Sequence, residues 1–236
     1  MANKYYLKRY RNPVVVIRFS IILHMFLSSR NVSLLLFLLF RAKVSHKTVC
    51  GWTKKFANGI SLPKYNFEDD ILICHADEKY VKVKGEWSYW WSIKDCLGNL
   101  IHSVVTPMRD FDSAKGLLRE AREIIGRDAD ILVRDGLTAY NRATKFLGRK
   151  CKSVVAGISG KNFIYKKSYY RLTNNPIESF NSEIDFYLGK FRNNFQNIES
   201  ANMFAQLFML QKHLKKSFME KKLLETSSML DQAFKI

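Results

Sequence analysis

Apolar and polar positions along this chain follow three successive patterns. The first covers residues 13 to 57. Two dense apolar runs, Val14 to Leu27 and Leu34 to Phe40, are separated by the polar stretch Ser28-Ser29-Arg30-Asn31. Arg18 and His24 interrupt the first run, and neither run reaches the ~20 apolar residues that a membrane span needs. A basic start (Lys4, Lys8, Arg9, Arg11) precedes them, but no small-residue cleavage site follows, so a signal peptide is not expected. The runs predict two buried helices of a small bundle. Next comes Val44 to Phe56, with Ser45 as N-cap and Val49, Trp52 and Phe56 at helical spacing on one face. Ser45, His46, Lys47, Thr48, Lys54 and Lys55 are left to the other side. Joined through Arg41-Ala42-Lys43, the two helices have a helix-turn-helix layout, in which the first turn of the second helix enters the major groove. A merely solvated basic face would give the same pattern.

Asn58 to Pro63 reads as a helix stop and linker, which predicts a boundary near residue 62 and two regions, 1–62 and 63–236. Beyond it the period changes to that of strands. Ile71 to Val83, Glu86 to Ile93 and Ile101 to Val105 are β-branched and aromatic, with short turns between them, and predict an antiparallel meander. Helical spacing returns at Ala114, Leu117, Leu118, Ala121 and Ile124, between a cap at Asp110 or Asp112 and a stop at Gly126. A strand at Ile131 to Val133, a helix at 137–146, a short strand at 153–156 and a helix after Pro176 complete an α/β order, which implies a mixed sheet with helices on its faces. A right-handed crossover would lay the fourth strand beside the first. Residues 157–172 read as a loop of interleaved aromatic and basic groups, with Lys161, Lys166, Lys167 and Arg171 as candidate phosphate contacts and the tyrosines free either to stack or to pack. A last helix is expected over 200–224.

Charge narrows the partners. Lys and Arg number 39 against 21 Asp and Glu, a formal charge of +18, on a chain that is 47% apolar and so able to build a core. A polyanion is the expected partner, with nucleic acid ahead of an anionic membrane. The four cysteines, Cys50, Cys74, Cys96 and Cys151, have neither zinc-ligand nor disulfide-framework spacing and read as buried thiols of a reducing, cytoplasmic compartment.

Three acids sit where an acid is costly. Asp77 ends the apolar run from Ile71, Asp135 follows Ile131-Leu132-Val133-Arg134, and Glu178 opens a helix behind Asn174-Asn175-Pro176. Taken singly, each has a structural reading: a strand edge, a turn, and a helix N-terminal charge. Gathered at one site they would suit two Mg²⁺ ions, hard cations that take oxygen ligands and promote in-line displacement at phosphorus. Asp95 and Asp110 compete for the first position, although Asp95 precedes the Leu97-Gly98-Asn99 turn and Asp110 reads as a cap. Glu78 should point away from Asp77, because strand side chains alternate.

Several blocks in order, His75-Ala76-Asp77-Glu78-Lys79-Tyr80-Val81-Lys82-Val83-Lys84-Gly85-Glu86-Trp87, Ile93-Lys94-Asp95, Arg109-Asp110, Asp135-Gly136 with Tyr140, and Asn174-Asn175-Pro176-Ile177-Glu178, resemble the DDE transposases of short insertion sequences. The resemblance spans residues 13 to 215 and includes the front helices. It implies a ribonuclease-H-like integrase core behind a small all-α helix-turn-helix region, with Asp77, Asp135 and Glu178 as catalytic and metal-binding residues. It further implies Mg²⁺ as cofactor with Mn²⁺ able to substitute, terminal inverted repeats and target DNA as partners, and a homodimer or larger assembly on the nucleoid. Membrane and small-molecule partners are not expected. The alternative is a catalytically inactive DNA-binding regulator or relic of such an element.

Overall fold

A computed structural model describes residues 11–57, 71–157, 159–189 and 195–219. Residues 1–10, the predicted boundary near residue 62, Asp69 and Asp70, and the end of the last helix with Lys221 and Lys222 lie outside the described residues. The chain divides into two compact units, Met1–Pro63 with Gln206–Ile236, and Lys64–Ala205.

The first unit carries α1 (Val14–His24), α2 (Ser29–Phe40) and α3 (His46–Ala57). Ser28 caps α2 by accepting from the Asn31 amide, and Arg41 ends it in the left-handed conformation. Ser45 caps α3 in the same way, accepting from the Thr48 amide at 3.1 Å. Ile17, Ile21, Met25, Val32, Leu36, Val49 and Trp52 are buried. The expectation of two buried helices holds for α1 and only half for α2. Leu34, Leu38 and Leu39 are each more than half exposed, so the apolar run has one inward row rather than an apolar circumference. No helix among the described residues is long and apolar enough to cross a membrane.

The second unit is built on a five-stranded sheet in the order β3-β2-β1-β4-β5. Its strands are β1 (Ile73–Val83), β2 (Glu86–Asp95), β3 (Leu100–Thr106), β4 (Ile131–Arg134) and β5 (Lys152–Val155). The first three are antiparallel, and β4 and β5 lie parallel to β1. This is the mixed sheet expected, including the crossover that brings the fourth strand beside the first. Between β3 and β4 runs α4 (Phe111–Ile125), capped by Asp110 through the Ser113 amide and closed by Gly126 at φ 77°. Alternation along the strands divides the core. Cys74, Ala76, Trp91, Ile93 and Leu132 pack under α4 and the short α5 (Ala139–Ala143), against Leu117, Leu118 and Tyr140. Ile73, Ile131 and Val133 face the other way and pack with Val154 and Leu172.

Residues 161–172 are a correction. They form a hairpin, β6 (Lys161–Tyr165) with β7 (Ser168–Leu172), rather than a loop. Phe163, Tyr165 and Tyr170 pack on the second core face, while Ile164 and Tyr169 stand exposed. The chain then enters α6 (Asn175–Gly189) and, later, α7 (Ile198–Met219). Asn202 on α7 both donates to and accepts from the backbone of Val105, at 2.9 and 2.7 Å. The cysteines are free, but only Cys74 is buried and Cys96 is exposed in the turn after β2, against the expectation of four buried thiols.

His24 supplies a pH dependence. Its Nδ1 lies 2.8 Å from the Thr53 hydroxyl, and burial lowers its pKa from 6.5 to about 4. A histidine held neutral in the fold contributes stability above the unfolded pKa that is lost as pH falls through 6.5 toward 4. Thr53 keeps the Val49 carbonyl as a partner without His24. His24→Leu should therefore lessen the loss of melting temperature between pH 6.5 and 4.5 relative to wild type. Parallel slopes in thermal melts followed by circular dichroism would show that His24 does not carry the effect.

Candidate metal centre

The site is built at the point where β1 outruns its parallel neighbour. β1 pairs with β2 along its whole length, but its pairing with β4 ends at Ala76 opposite Arg134. Asp77 and Asp135 are the next residues on two adjacent strands. They share a face, since Ile73 and Ile131, an even number of residues before each, belong to the same core cluster. Register alone thus sets two carboxylates side by side where the parallel pairing of β1 with β4 ends.

Glu78 joins them. Ligand oxygens of Asp77, Glu78 and Asp135 all lie within 4.8 Å of one another. The expectation that Glu78 points away is right for its Cα–Cβ bond and wrong for its carboxylate. Its side chain starts on the α4–α5 side, where Tyr140 donates to it at 3.5 Å, and it is long enough to bring its charge back to the end of the sheet. Arg109, in the turn before α4, donates to Glu78 Oε1 through Nε at 2.7 Å and also through a terminal nitrogen. That terminal nitrogen stands 3.7 Å from Asp135 Oδ2.

The third expected acid, Glu178, is in the first turn of α6 and lies outside this group of three in the structure. Its helix is nonetheless against the site, because Asn181, one turn on, donates to Asp77 Oδ2 at 2.8 Å. The start of α6 is fixed by the Asn174 carbonyl, which accepts from the amides of Ile177 and Glu178. Asn174 Oδ1 is buried without a partner. Lys94, paired with His75 across β1 and β2, donates to the Pro176 carbonyl at 3.1 Å and lies over the Phe180 ring, tying that first turn to the sheet.

Electrostatics show what the cluster costs. Burial pushes Asp77 up from 3.8 to about 6, with the charges of Asp135 and Glu178 adding, while the Glu78 amide and Asn181 pull the other way. Burial likewise raises Glu78 to about 7 against the pull of Arg109. Keeping Asp77 ionised at neutral pH costs roughly 3 kcal/mol, an amount that a bound cation would offset. The donor set fits a hard divalent ion, being carboxylate oxygens where a parallel ladder stops, next to a buried amide oxygen of Asn181 that has no partner.

The competing acids have local duties. Asp95 accepts from the Asn99 amide at 2.7 Å, and Asp110 is the α4 cap. Of the expected DNA contacts, His46, Lys47, Lys54 and Lys55 are exposed on α3, Thr48 is half-buried, and Ser45 is exposed but spends its oxygen on the cap. Lys161, Lys167 and Arg171 are exposed on the hairpin. Lys166 is paired with Asp130 at 3.1 Å, at the start of β4, the opposite end of that strand from Asp135. Sequence reasoning quoted Arg109 and Tyr140 without giving them a task and missed Asn181. Asn181 was legible as the residue one helical turn beyond Glu178.

A family model described as a DDE domain matches residues 72–217. Among curated proteins the chain is 25% identical over 134 residues to the transposase for insertion sequence element IS257 in transposon Tn4003 of Staphylococcus aureus, covering 55% of this chain and 58% of that protein. Identity and coverage are the same for the transposase for insertion sequence-like element IS431mec of S. aureus strain Mu50. The chain thus matches a little over half the length of these relatives. Among solved structures, a simian T-cell lymphotropic virus intasome in complex with PP2A regulatory subunit B56 gamma is similar at 13% identity and a TM-score of 0.42, over 81% of this chain and 68% of that one, a likeness too loose to bear on the fold.

If the cluster holds a divalent ion, millimolar Mn²⁺ should raise the melting temperature of the wild type. Asp77→Asn and Asp135→Asn should each melt higher than wild type in EDTA and gain little from Mn²⁺. An unchanged Mn²⁺ response in both variants would remove these carboxylates from ion binding.

Proposed function

From the premise that this chain belongs to the DDE domain family, we propose that it is an insertion-sequence transposase, cutting and joining DNA at the ends of its own element with Mg²⁺, or Mn²⁺ in its place. The single observation that carries the reading is the register that leaves Asp77 and Asp135 adjacent where the pairing of β1 with β4 stops, with the first turn of α6 and its Glu178 held beside them. Bound there, a divalent ion would supply a Lewis acid and an activated hydroxyl for displacement at phosphorus.

The chain's own residues do the rest. Asp77, Asp135 and Glu178 are the proposed ligands. Asn181 holds Oδ2 of Asp77 and so orients that carboxylate. Lys94 anchors the turn that carries Glu178, so that a small movement of one helical turn would complete the set. The region 1–62 is the proposed end-binding part, through the helix-turn-helix formed by α2 and α3 with His46, Lys47, Thr48, Lys54 and Lys55 toward DNA. The region 63–236 is the catalytic part, and Lys161, Lys167 and Arg171 would contact backbone phosphates. The charge of +18 supports a polyanionic partner. A dimer or larger assembly acting on the nucleoid follows from the need to hold two element ends at once.

Purified protein, a fragment with the native flanks of the gene and a supercoiled target plasmid should yield joined products in Mg²⁺, and Glu178→Gln should yield none. Retained end binding without products from either protein would favour the inactive regulator. Replacing Lys161, Lys167 and Arg171 together by Ala should reduce the slope of log affinity against log salt by about 2 to 3, and an unchanged slope would take the hairpin off the DNA.

A further inference from the structure

Glu78 and Arg109 are left over when the proposed ion ligands have been assigned, and their arrangement is specific. The Glu78 side chain is 1% exposed, and both of its oxygens are engaged, one by Arg109 and the other by Tyr140. A buried acid with such partners is committed to the protein. Arg109, by contrast, is about one third exposed. Its Nε and one terminal nitrogen hold Glu78, and the same terminal nitrogen leans toward Asp135. The remaining terminal nitrogen has no protein partner among the described residues. Tyr80 flanks the guanidinium, with its ring centroid 5.7 Å from the Arg109 carbon.

A guanidinium is a rigid fork with five donors, and fixing one edge on a carboxylate orients the other. Here the edge that holds Glu78 also stands 3.7 Å from Asp135 Oδ2, close enough that a phosphodiester meeting an ion on Asp135 would also meet the guanidinium and its remaining terminal nitrogen. We infer that Arg109 is a phosphate-binding residue of this active site, gripping a non-bridging oxygen of the phosphodiester at the cutting position, and that Glu78 is the positioning residue that aims it rather than an ion ligand. The inference rests on the transposase reading above and adds to it a residue for the substrate's own charge. Such a contact strengthens as charge builds on the phosphoryl oxygens, so it would act in the displacement step more than in binding.

Arg109→Gln alone would strand the buried Glu78, so the test uses Arg109→Lys and the double variant Glu78→Gln/Arg109→Gln, in which the charges of that buried pair are removed together. The wild-type cutting position is mapped first, and duplexes are then made with the ordinary phosphate or a neutral methylphosphonate at that position. Binding is measured in Ca²⁺. The methylphosphonate should weaken wild-type binding ~10-fold more than it weakens the double variant's, since only the ion's share of the contact remains in the variant. Single-turnover cleavage should fall ~100-fold in the double variant, with partial recovery in Arg109→Lys and Mn²⁺ stabilisation retained in both.

An equal penalty from the methylphosphonate in wild type and double variant would overturn the contact. Loss of Mn²⁺ stabilisation in the double variant would overturn the role of Glu78 and make it a ligand. Wild-type protein that binds DNA but never cuts it would instead sink the transposase reading, and this inference with it.

Discussion

The second unit depends on one constraint, the unequal length of two neighbouring parallel strands. β4 has four residues, and β1 continues well beyond it, paired with β2 and bridged at Val83 by Phe195. Where the parallel ladder stops, backbone groups and side chains of two strands emerge together, and both emerging residues are acids. Parallel strands buried on both faces are ordinarily apolar throughout, and this pair is apolar up to that point. The carboxylates lie at the first position where the sheet no longer encloses them. The cost of holding them together is kept by burial and by mutual repulsion, and it is the same cost that an ion would relieve.

Around that point each neighbour has a separate reason for its place. Arg134 points away from the carboxylates and donates to Ser153, to the carbonyls of Asp135 and Leu137, and to Asn141, which braces the turn that Asp135 begins. Asp135 itself accepts from the Leu137 amide at 2.9 Å, so the chain leaves β4 in a fixed direction. Lys94 and Asn181 do for α6 what Arg134 does for this turn. The edge-to-face contact of Trp91 and Tyr140 carries the interior of the sheet through to Glu78. Each carboxylate is thus held by its surroundings, Asp77 by Asn181, Glu78 by Arg109 and Tyr140, and Asp135 by the Leu137 amide.

Much of this was legible in the sequence. The meander, the capped α4, the crossover and the placing of Asp77 beside Asp135 follow from periodicity, caps and the handedness of connections, because each depends on near neighbours or on a rule with few exceptions. Three things were not. The hairpin at 161–172 has a turn made by Lys166 and Lys167, both at positive φ, where Asn-Gly would announce it. Without that signal, its alternation of aromatic and polar residues reads as loop. The half-exposed α2 was hidden because Leu34, Leu38 and Leu39 give no polar face to mark the outside. Glu78 was misplaced because alternation fixes the direction in which a side chain starts, and beyond the point where β4 stops pairing with β1 a glutamate is long enough to bring its carboxylate beside Asp77 and Asp135.

The two hydrogen bonds from Asn202 to Val105 have a consequence for the outer border of the sheet. β3 is an edge strand, and an edge strand offers its unused backbone groups to any extended chain nearby. At Val105 both groups are already taken by one amide side chain, which imitates a further strand for the length of a single residue. A stray strand could not zip along β3 past that point. The amide is thus a guard at the border of the sheet against edge-to-edge stacking, the kind of contact that leads to aggregates.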